Sequence, residues 1–475
     1  RPRRRRVGAP PRNRARRRDR MTPLFYTLGV VIFVVAILVS IGLHELGHMI
    51  PAKKFGGKVS QYFIGFGPTV WSTRRGETEY GIKAVPLGGF VKIVGMLPPG
   101  AEELDEDRAH PVYDEQGRRV VRLRKSNTGM FTQLVSDARA AEWEHIGPED
   151  ADRLFYKMAW WKKVVVMAGG PTVNILIAFF IFSGIFATYG NAGDARPDPG
   201  QPVIATVPKC VIPYVEQRTE CRSTDPASPA AEAGLRPGDR IVEFNGTPVT
   251  DWATLRTLIR SNDDGDAVIV FVRDGERMTG TTNTTVEARP TSATDETLRQ
   301  VGFLGVTPTQ HFATGGPLYT LTQMGHMTVD TVQALATLPV KVWGVAKAIV
   351  GVEERQADSP VSIVGGGRIA GEAAAHEGFN VEEKTVFLLS LIAGFNFFIG
   401  MFNFIPLLPL DGGHIAGALY EALRRGFARL RRRPDPGYVD VAKLLPIAYV
   451  VASAVLVMGV VLIVGDLVVP IHLQS

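Results

Sequence analysis

His44-Glu45-Leu46-Gly47-His48 closes an apolar run, PLFYTLGVVIFVVAILVSIGL, that covers residues 23–43. On a helix, His44 and His48 stand at i and i+4 on one face, where both imidazoles reach a single Zn2+. Glu45 is not needed as a ligand and suits a general base acting on a water that the metal activates. The pattern alone arises in many soluble helices, so its setting gives it weight. An ionisable residue inside a membrane span costs roughly 2.5–3.5 kcal/mol on insertion scales. Several so close together demand compensation. A plainer reading ends the run at Leu43 and leaves the motif among headgroups. The following MIPA and the Gly56-Gly57 pair continue the apolar character and argue against it.

Two histidines leave zinc short of a protein ligand. Asp411, in FNFIPLLPLDGGH (402–414), is the best third donor. It ends an apolar segment broken by Pro406 and Pro409 and stopped by Gly412-Gly413, and prolines there free backbone groups that a substrate strand could use. An interfacial Asp at a helix C-terminus is the competing reading. His414 ranks below Asp411, while His311, His326, His376 and His472 read as surface or interfacial residues.

These donors need elements to hold them. Four segments are long and apolar enough to cross a bilayer: residues 24–50, 163–189, 385–410 and 443–468. The last reads as a plain lipid-facing anchor. Polar residues, Pro or Gly interrupt the other three, which suggests a site shared among them. The expected fold is a polytopic α-helical membrane protein with about four transmembrane helices, a membrane-associated β-hairpin and an inserted extracytoplasmic α+β domain.

Domain by domain, residues 1–20 read as an Arg-rich disordered head or an upstream mis-start before Met21. Residues 21–98 hold the first span and a hairpin around Gly88-Gly89 in YGIKAVPLGGFVKIVGM (80–96). Residues 99–160 read as a charged loop or insertion, 161–190 as the second span and 195–310 as a β-rich domain. Within 311–384, residues 319–350 show helical spacing and read as an interfacial amphipathic helix or a core helix. VSIVGGGRIAGEAAAHEG (361–378) reads as a Gly-rich turn. The third span covers 385–412, a basic cytoplasmic loop 413–442, and the fourth span 443–470.

The chain has 475 residues, 45% of them hydrophobic, and a formal charge of +6. Eleven Arg and one Asp lie in the first twenty residues, so the head carries +10 and the remainder about −4. A basic nucleic-acid-binding body is therefore not supported. Short Lys/Arg-rich loops after the first span, before the second and between the third and fourth mark the cytoplasmic side. This places residues 190–384 outside. Cys210 and Cys221 sit in that outer segment, where a disulfide closing a short loop is plausible; in a reducing compartment they would be ordinary thiols.

HELGH, GGPTVN (169–174) and NFIPLLPLDGG (403–413) together resemble the three signatures of the site-2 proteases, zinc metalloproteases that cut within the membrane. QYFIGFGPTVWSTRRGETEYGIKAVPLGGF (61–90) is similar to the bacterial regulator of sigma-E protease group, especially its actinobacterial members. The resemblance implies that His44, His48 and Asp411 bind Zn2+ and that Glu45 is catalytic. Asn403 and Asn174 would place the substrate backbone or polarise its carbonyl. The hairpin carrying Gly88 and Gly89 would clamp the substrate as an extended strand. The Arg-rich head and the long 101–150 insertion depart from the family pattern without touching a motif.

DPASPAAEAGLRPGDRIVEFNGTPVTDWATLRTLI (225–259) resembles bacterial PDZ domains, with PKCVIPYVEQRTECRSTD (208–225) as an insertion that alters the groove. In this family such a region restricts access until a first protease has shortened the substrate. The implied partners are membrane lipid and single-pass, anti-sigma-factor-like substrates, with no nucleic acid. The implied site of action is the inner (cytoplasmic) membrane. A catalytically inactive PDZ-bearing scaffold and a metal or proton transporter are the competing readings. An intact HELGH and LDG weigh against the first, and the lack of inverted repeats against the second.

Overall fold

The computed structural model describes residues 12–99, 112–113, 119–120, 130–144, 146–197, 202–216, 221–290, 298–376 and 378–473. Helix α1 (Arg12–Lys54) is followed by strands β1 (Val59–Arg75) and β2 (Thr78–Ile93), a short ribbon of β3 (Val112–Tyr113) and β4 (Arg119–Val120), α2 (Met130–Trp143) and α3 (Trp160–Thr188). Strands β5 (Asn191–Pro197), β6 (Ile204–Thr206), β7 (Arg240–Phe244) and β8 (Thr247–Pro248) lead to α4 (Trp252–Arg260). Next come β9 (Asp266–Arg273), β10 (Glu276–Asn283), β11 (Thr285–Pro290), β12 (Leu298–Phe303), β13 (Thr307–Pro308) and β14 (Gln310–Ala313). Five helices finish the chain: α5 (Pro317–Ile349), α6 (Ile363–Ala375), α7 (Val381–Asn403), α8 (Asp411–Leu430) and α9 (Leu445–Val468). The chain divides into two compact units, one of residues 1–184 with 317–473 and one formed by Ile185–Gly316.

Among the described residues, four helical stretches are long and apolar enough to cross a membrane: Pro23–Lys54, Trp160–Thr188, Val381–Asn403 and Val441–Val468. They overlap the four apolar segments of the sequence, with differing ends. Several local expectations are corrected. Helix α1 begins at Arg12, so residues 12–20 of the Arg-rich head are helical rather than a disordered extension. Arg and Ala propagate a helix well once the apolar run has nucleated it. Residues 1–11 lie outside the described residues. The 99–160 region is not simply a loop, because it contains the β3–β4 ribbon and α2.

The 361–378 stretch is not a Gly-rich turn. Ser362 caps α6 by accepting from the Val364 backbone N–H at 3.1 Å, and the helix uses its small residues for close packing. A Cβ on Gly29 of α1 would lie 2.5 Å from the Ala370 carbonyl oxygen, so small side chains permit an approach that larger ones would block. Packing outweighs the poor helix propensity of glycine. The third span stops at Asn403, short of residue 412, and the 413–442 loop is largely the helix α8. Residues 319–349 are helical within α5, which buries Met324, Val342, Val345 and Ala348.

The glycine pair at 88–89 does not turn 80–87 back onto 90–96. Strand β1 pairs with both ends of β2: Phe63 faces Gly81 and also Phe90, and Gln61 faces Glu79 and also Lys92. Residues 59–64 therefore lie between 78–82 and 89–93. Gly65 and Gly88 have φ of +92° and +91°, which side-chain-bearing residues rarely adopt. These two positions let the ribbon double back. Tyr62 donates to the Gly42 carbonyl at 2.7 Å and fastens the sheet to α1.

In the second unit the strand order β10-β9-β7-β8 forms an antiparallel sheet, with β11–β12, β13–β6 and β14–β5 as separate pairs. Asp251 caps α4 by accepting from the Thr254 backbone N–H at 2.8 Å, and that bond holds its carboxyl below the ordinary carboxylate range. Ile241, Leu255, Ile269, Phe271 and Leu304 form the centre of the core. A disulfide joins Cys210 to Cys221. Ile269 is fully buried, so Ile269→Ala should destabilise this unit by about 2–5 kcal/mol. Limited proteolysis of the full chain would show it as accelerated cutting within 185–316 while the membrane helices persist.

Candidate metal centre

The i, i+4 spacing on α1 turns His44 and His48 toward the same point. Their Nε2 atoms are 3.3 Å apart, and each lies 3.4 Å from Asp411 Oδ2. For bonds of about 2.0–2.2 Å, the edge of a tetrahedron is about 1.63 bond lengths, or roughly 3.3–3.6 Å. The three donor separations fit the edges expected if His44, His48 and Asp411 were to hold one zinc ion. The donor set, two imidazoles and a carboxylate, suits zinc as well as the spacing does.

The surroundings orient the donors. His48 Nδ1 lies 2.8 Å from the Val166 carbonyl oxygen on α3. A proton donated there leaves the Nε2 lone pair free toward the donor cluster. One turn further along α3, Gly170 has no side chain where one would be fatal: a Cβ would lie 2.3 Å from His48 Nε2 and 2.8 Å from His44 Nε2. Just beside it the two backbones touch, since a Cβ on Gly169 would lie 2.0 Å from the Gly47 carbonyl oxygen. The glycine inside HELGH and the Gly169-Gly170 pair thus form a helix crossing that leaves room for an ion.

Asp411 arrives from the other end of the sequence. After α7 stops, residues 404–410 carry Pro406 and Pro409, and α8 starts at Asp411. Asp411 is therefore the first residue of a helix, rather than the last of an apolar segment. A carboxylate is favoured there by the helix dipole and free N–H groups. Gly412 and Gly413 let the preceding turn fold onto the helix, because a Cβ on either would come within 2.5 Å of backbone at Ile405 or Leu408. Ten residues on, Glu421 forms a buried pair with Lys163 of α3 at 2.7 Å, tying α8 to the helix that carries Gly170.

A cavity of 420 Å³ opens on the donors. It is lined by His44, Glu45, His48 and Asp411, by Asn174, Asn403 and His414, and by Gly88, Gly89, Phe90 and Val91 of the ribbon. All eight residues singled out from the sequence line this one space. His414 shares the cavity but is not one of the three clustered donors. Gly89 allows the ribbon to reach the site, since a Cβ on it would lie 3.0 Å from Glu45 Cγ. The Asn174 side-chain oxygen is buried without a hydrogen-bond partner, and the Asn403 amide donates to the Ile399 carbonyl at 3.2 Å. Sequence reasoning missed the roles of Gly47, Gly169, Gly170, Tyr62 and the Lys163–Glu421 pair. The only signal was a Gly-Gly pair inside an apolar helix.

The sequence profile of peptidase family M50 matches residues 32–442. The chain is similar to the zinc metalloprotease Rip1 of Mycolicibacterium smegmatis, with 36% identity over 464 residues, covering 95% of this chain and 100% of that protein. Rip1 of Mycobacterium tuberculosis strain H37Rv is 35% identical over 462 residues, with coverage of 95% and 100%. The zinc metalloprotease RasP of Bacillus licheniformis is 24% identical over 456 residues, covering 89% of this chain and 97% of its own.

The cradle at Gly170 gives a direct expectation. Gly170→Ala places a methyl group among the donors, so purified protein should lose most of its zinc by elemental analysis. Substitution by alanine at Gly184, where a Cβ meets nothing within 4 Å, should leave the zinc content unchanged.

Proposed function

We propose, from the premise that the chain belongs to peptidase family M50, the site-2 proteases, that it hydrolyses a peptide bond within the membrane segment of a single-pass substrate. The enzyme is a zinc metalloprotease. The observation that carries the proposal is the triangle of donors with sides of 3.3–3.4 Å between α1 and α8. We assign His44, His48 and Asp411 as the zinc ligands and Glu45 as the general base. When bound, zinc supplies Lewis acidity toward the scissile carbonyl and brings a water's pKa toward neutrality.

The chain's own residues do the rest. Glu45 lines the cavity beside the ligands, where its carboxylate oxygen takes a proton from the attacking water and delivers it to the leaving amide nitrogen. Asn174, with its unpartnered buried oxygen, and Asn403 hold the substrate backbone or polarise its carbonyl. Gly88 and Gly89 keep the ribbon edge against the site, so a substrate unwound from its helix can lie along that edge as an added strand. Placing Glu45 next to a complete donor set favours a working hydrolase over a scaffold.

The Ile185–Gly316 unit is assigned as a PDZ-like domain that filters substrates by size. A cleft of 460 Å³ runs beside α4 and β12, but Gly302 sits so close to α4 that a Cβ on it would lie 2.2 Å from the Ile259 carbonyl oxygen. That leaves no width for an added strand at this point. The disulfide-closed insertion further narrows the cleft by contributing Tyr214, and Arg289 donates to its Ile212 carbonyl at 3.3 Å. Both features support steric exclusion over peptide capture, and with it substrates of anti-sigma-factor type already trimmed by another protease. The disulfide favours an oxidising compartment for this unit, in line with an inner-membrane enzyme whose PDZ-like domain lies outside.

With a candidate single-pass substrate in the same membranes, Glu45→Gln should lower cleavage by at least about 10²–10⁴-fold while retaining zinc. His44→Ala and Asp411→Ala should lose both zinc and cleavage, and chelator should reproduce their effect on the wild type. Cleavage by Glu45→Gln at the wild-type rate would remove the general-base assignment.

A further inference from the structure

Helix α8 carries a face that neither the donor cluster nor the cavity uses. Leu419, Leu423, Phe427 and Leu430 recur at steps of four and three and, with Tyr420 three residues before Leu423, make one stripe. They are 44%, 56%, 73%, 53% and 81% exposed. The opposite side is the one held by protein: Ala418 and Glu421 are buried, and Glu421 meets Lys163 at 2.7 Å and Arg425 at 3.3 Å. Arg429 in the last turn and Arg431, Arg432 and Arg433 just after the helix are all exposed. None of these four pairs with a carboxylate among the described residues, and the Arg431 guanidinium lies over the Phe427 ring at 4.0 Å.

Two observations fix the depth of this helix in a membrane. Asn403 ends one span and Val441 begins the next, so both sides of α8 connect to the bilayer. Lys163, which holds Glu421, lies in the first turn of the span Trp160–Thr188, beside the exposed indoles of Trp160 and Trp161. Such indoles settle at the headgroup level. Glu421 is thereby held at interface depth, with the apolar stripe facing away from the protein. A helix with this division of faces lies at the boundary between headgroups and acyl chains.

We propose that α8 is a lipid-recognition element: its stripe enters the acyl region and Arg429, Arg431, Arg432 and Arg433 bind anionic phospholipid headgroups. Attraction of the C-terminal dipole for cations accounts for an arginine in the last turn, but not for three more beyond it or for the apolar stripe. A second copy of the chain is a poorer occupant, because the acidic residues of α8 are Asp411, in the donor cluster, and Glu421, paired with Lys163, so the same face of a copy offers the arginines no available carboxylate. Asp411 is the first residue of the same helix, so lipid binding also steadies a donor of the metal centre. This consequence rests on the ligand assignment proposed above, whereas the binding itself does not.

The test uses the full chain carrying Leu423→Cys, with Cys210 and Cys221 already joined, labelled with a fluorophore and placed in nanodiscs that contain acyl-brominated lipid. Quenching should be strong with phosphatidylglycerol present and clearly weaker in phosphatidylcholine alone, and high salt should abolish the difference. Replacing Arg429, Arg431, Arg432 and Arg433 by Gln should weaken the anionic preference by roughly fivefold per arginine, and inorganic phosphate at matched ionic strength should not compete. A label that remains water-accessible in phosphatidylglycerol discs overturns the proposal. Quenching indifferent to salt and to the arginines overturns it too, as does a doubled mass that protects the label in lipid-free micelles. Zinc content measured on the same samples reads the metal assignment separately, so a failure there is distinguishable from a failure of lipid binding.

Discussion

The structure depends on a contact between two backbones. Three ionisable side chains in one turn of an apolar helix are unfavourable in lipid unless something compensates them. Compensation here requires α3 to pass α1 at the level of the two histidines, closely enough for the Val166 carbonyl to meet His48. Only the glycines at 47, 169 and 170 allow that approach. The same approach that satisfies the imidazole also removes the side chain that would fill the ion's place. Helix packing and donor geometry are one constraint, and neither can be changed without the other.

The second half of the constraint is the break after α7. A continuous helix through residue 410 would carry Asp411 along the span axis. Pro406 and Pro409 interrupt the helical hydrogen bonds, and the turn bonds from Leu407 to Ile405 and from Leu410 to Leu407 recover part of them within the chain. The new helix then presents its N-terminal residue to the histidines. Its direction is set about 15 Å further on, where the buried Lys163–Glu421 pair fixes it to α3. A buried pair of this kind is a weak source of net stability but strongly penalises any arrangement that separates the charges, which suits a role in registering α8 on its neighbour.

What the sequence made legible follows from the range of the interactions involved. Spans are local facts, because about twenty apolar residues in a row have few other uses. The pairing of His44 with His48 is fixed by helical pitch, and the proline and glycine punctuation around Asp411 marks a break whatever surrounds it. The ribbon register was not legible: 59–64 pairs with two separate stretches of β2, a choice among distant partners that alternation alone does not rank. The Gly365–Gly367 run misled for a related reason. Its intrinsic preference is for a turn, whereas its actual state is set by the neighbours it allows close, Phe33 and Phe395 at Gly366 and Asp466 at Gly365. In α8 the density of arginine masked an apolar stripe that becomes clear only once its buried side is known.

These pieces explain why a β-ribbon belongs beside a metal site in an all-helical membrane core. A helical substrate hides its peptide bonds, and unwinding it in a nonpolar setting leaves backbone groups unsatisfied at several kcal/mol each. Under the proposed mechanism, an edge strand at the catalytic carboxylate answers that cost, because it offers N–H and C=O groups at the spacing of an extended chain. The ribbon can do so only if no side chain separates it from α1, and Gly89, held 3.0 Å from Glu45 Cγ when a Cβ is imagined on it, meets that condition. Tyr62, bonded to the Gly42 carbonyl two residues before His44, keeps the edge in place. On that proposed mechanism the ribbon, the crossing glycines and the proline break serve a single requirement: an unwound peptide, a base and an ion-binding triangle must meet within one small cavity.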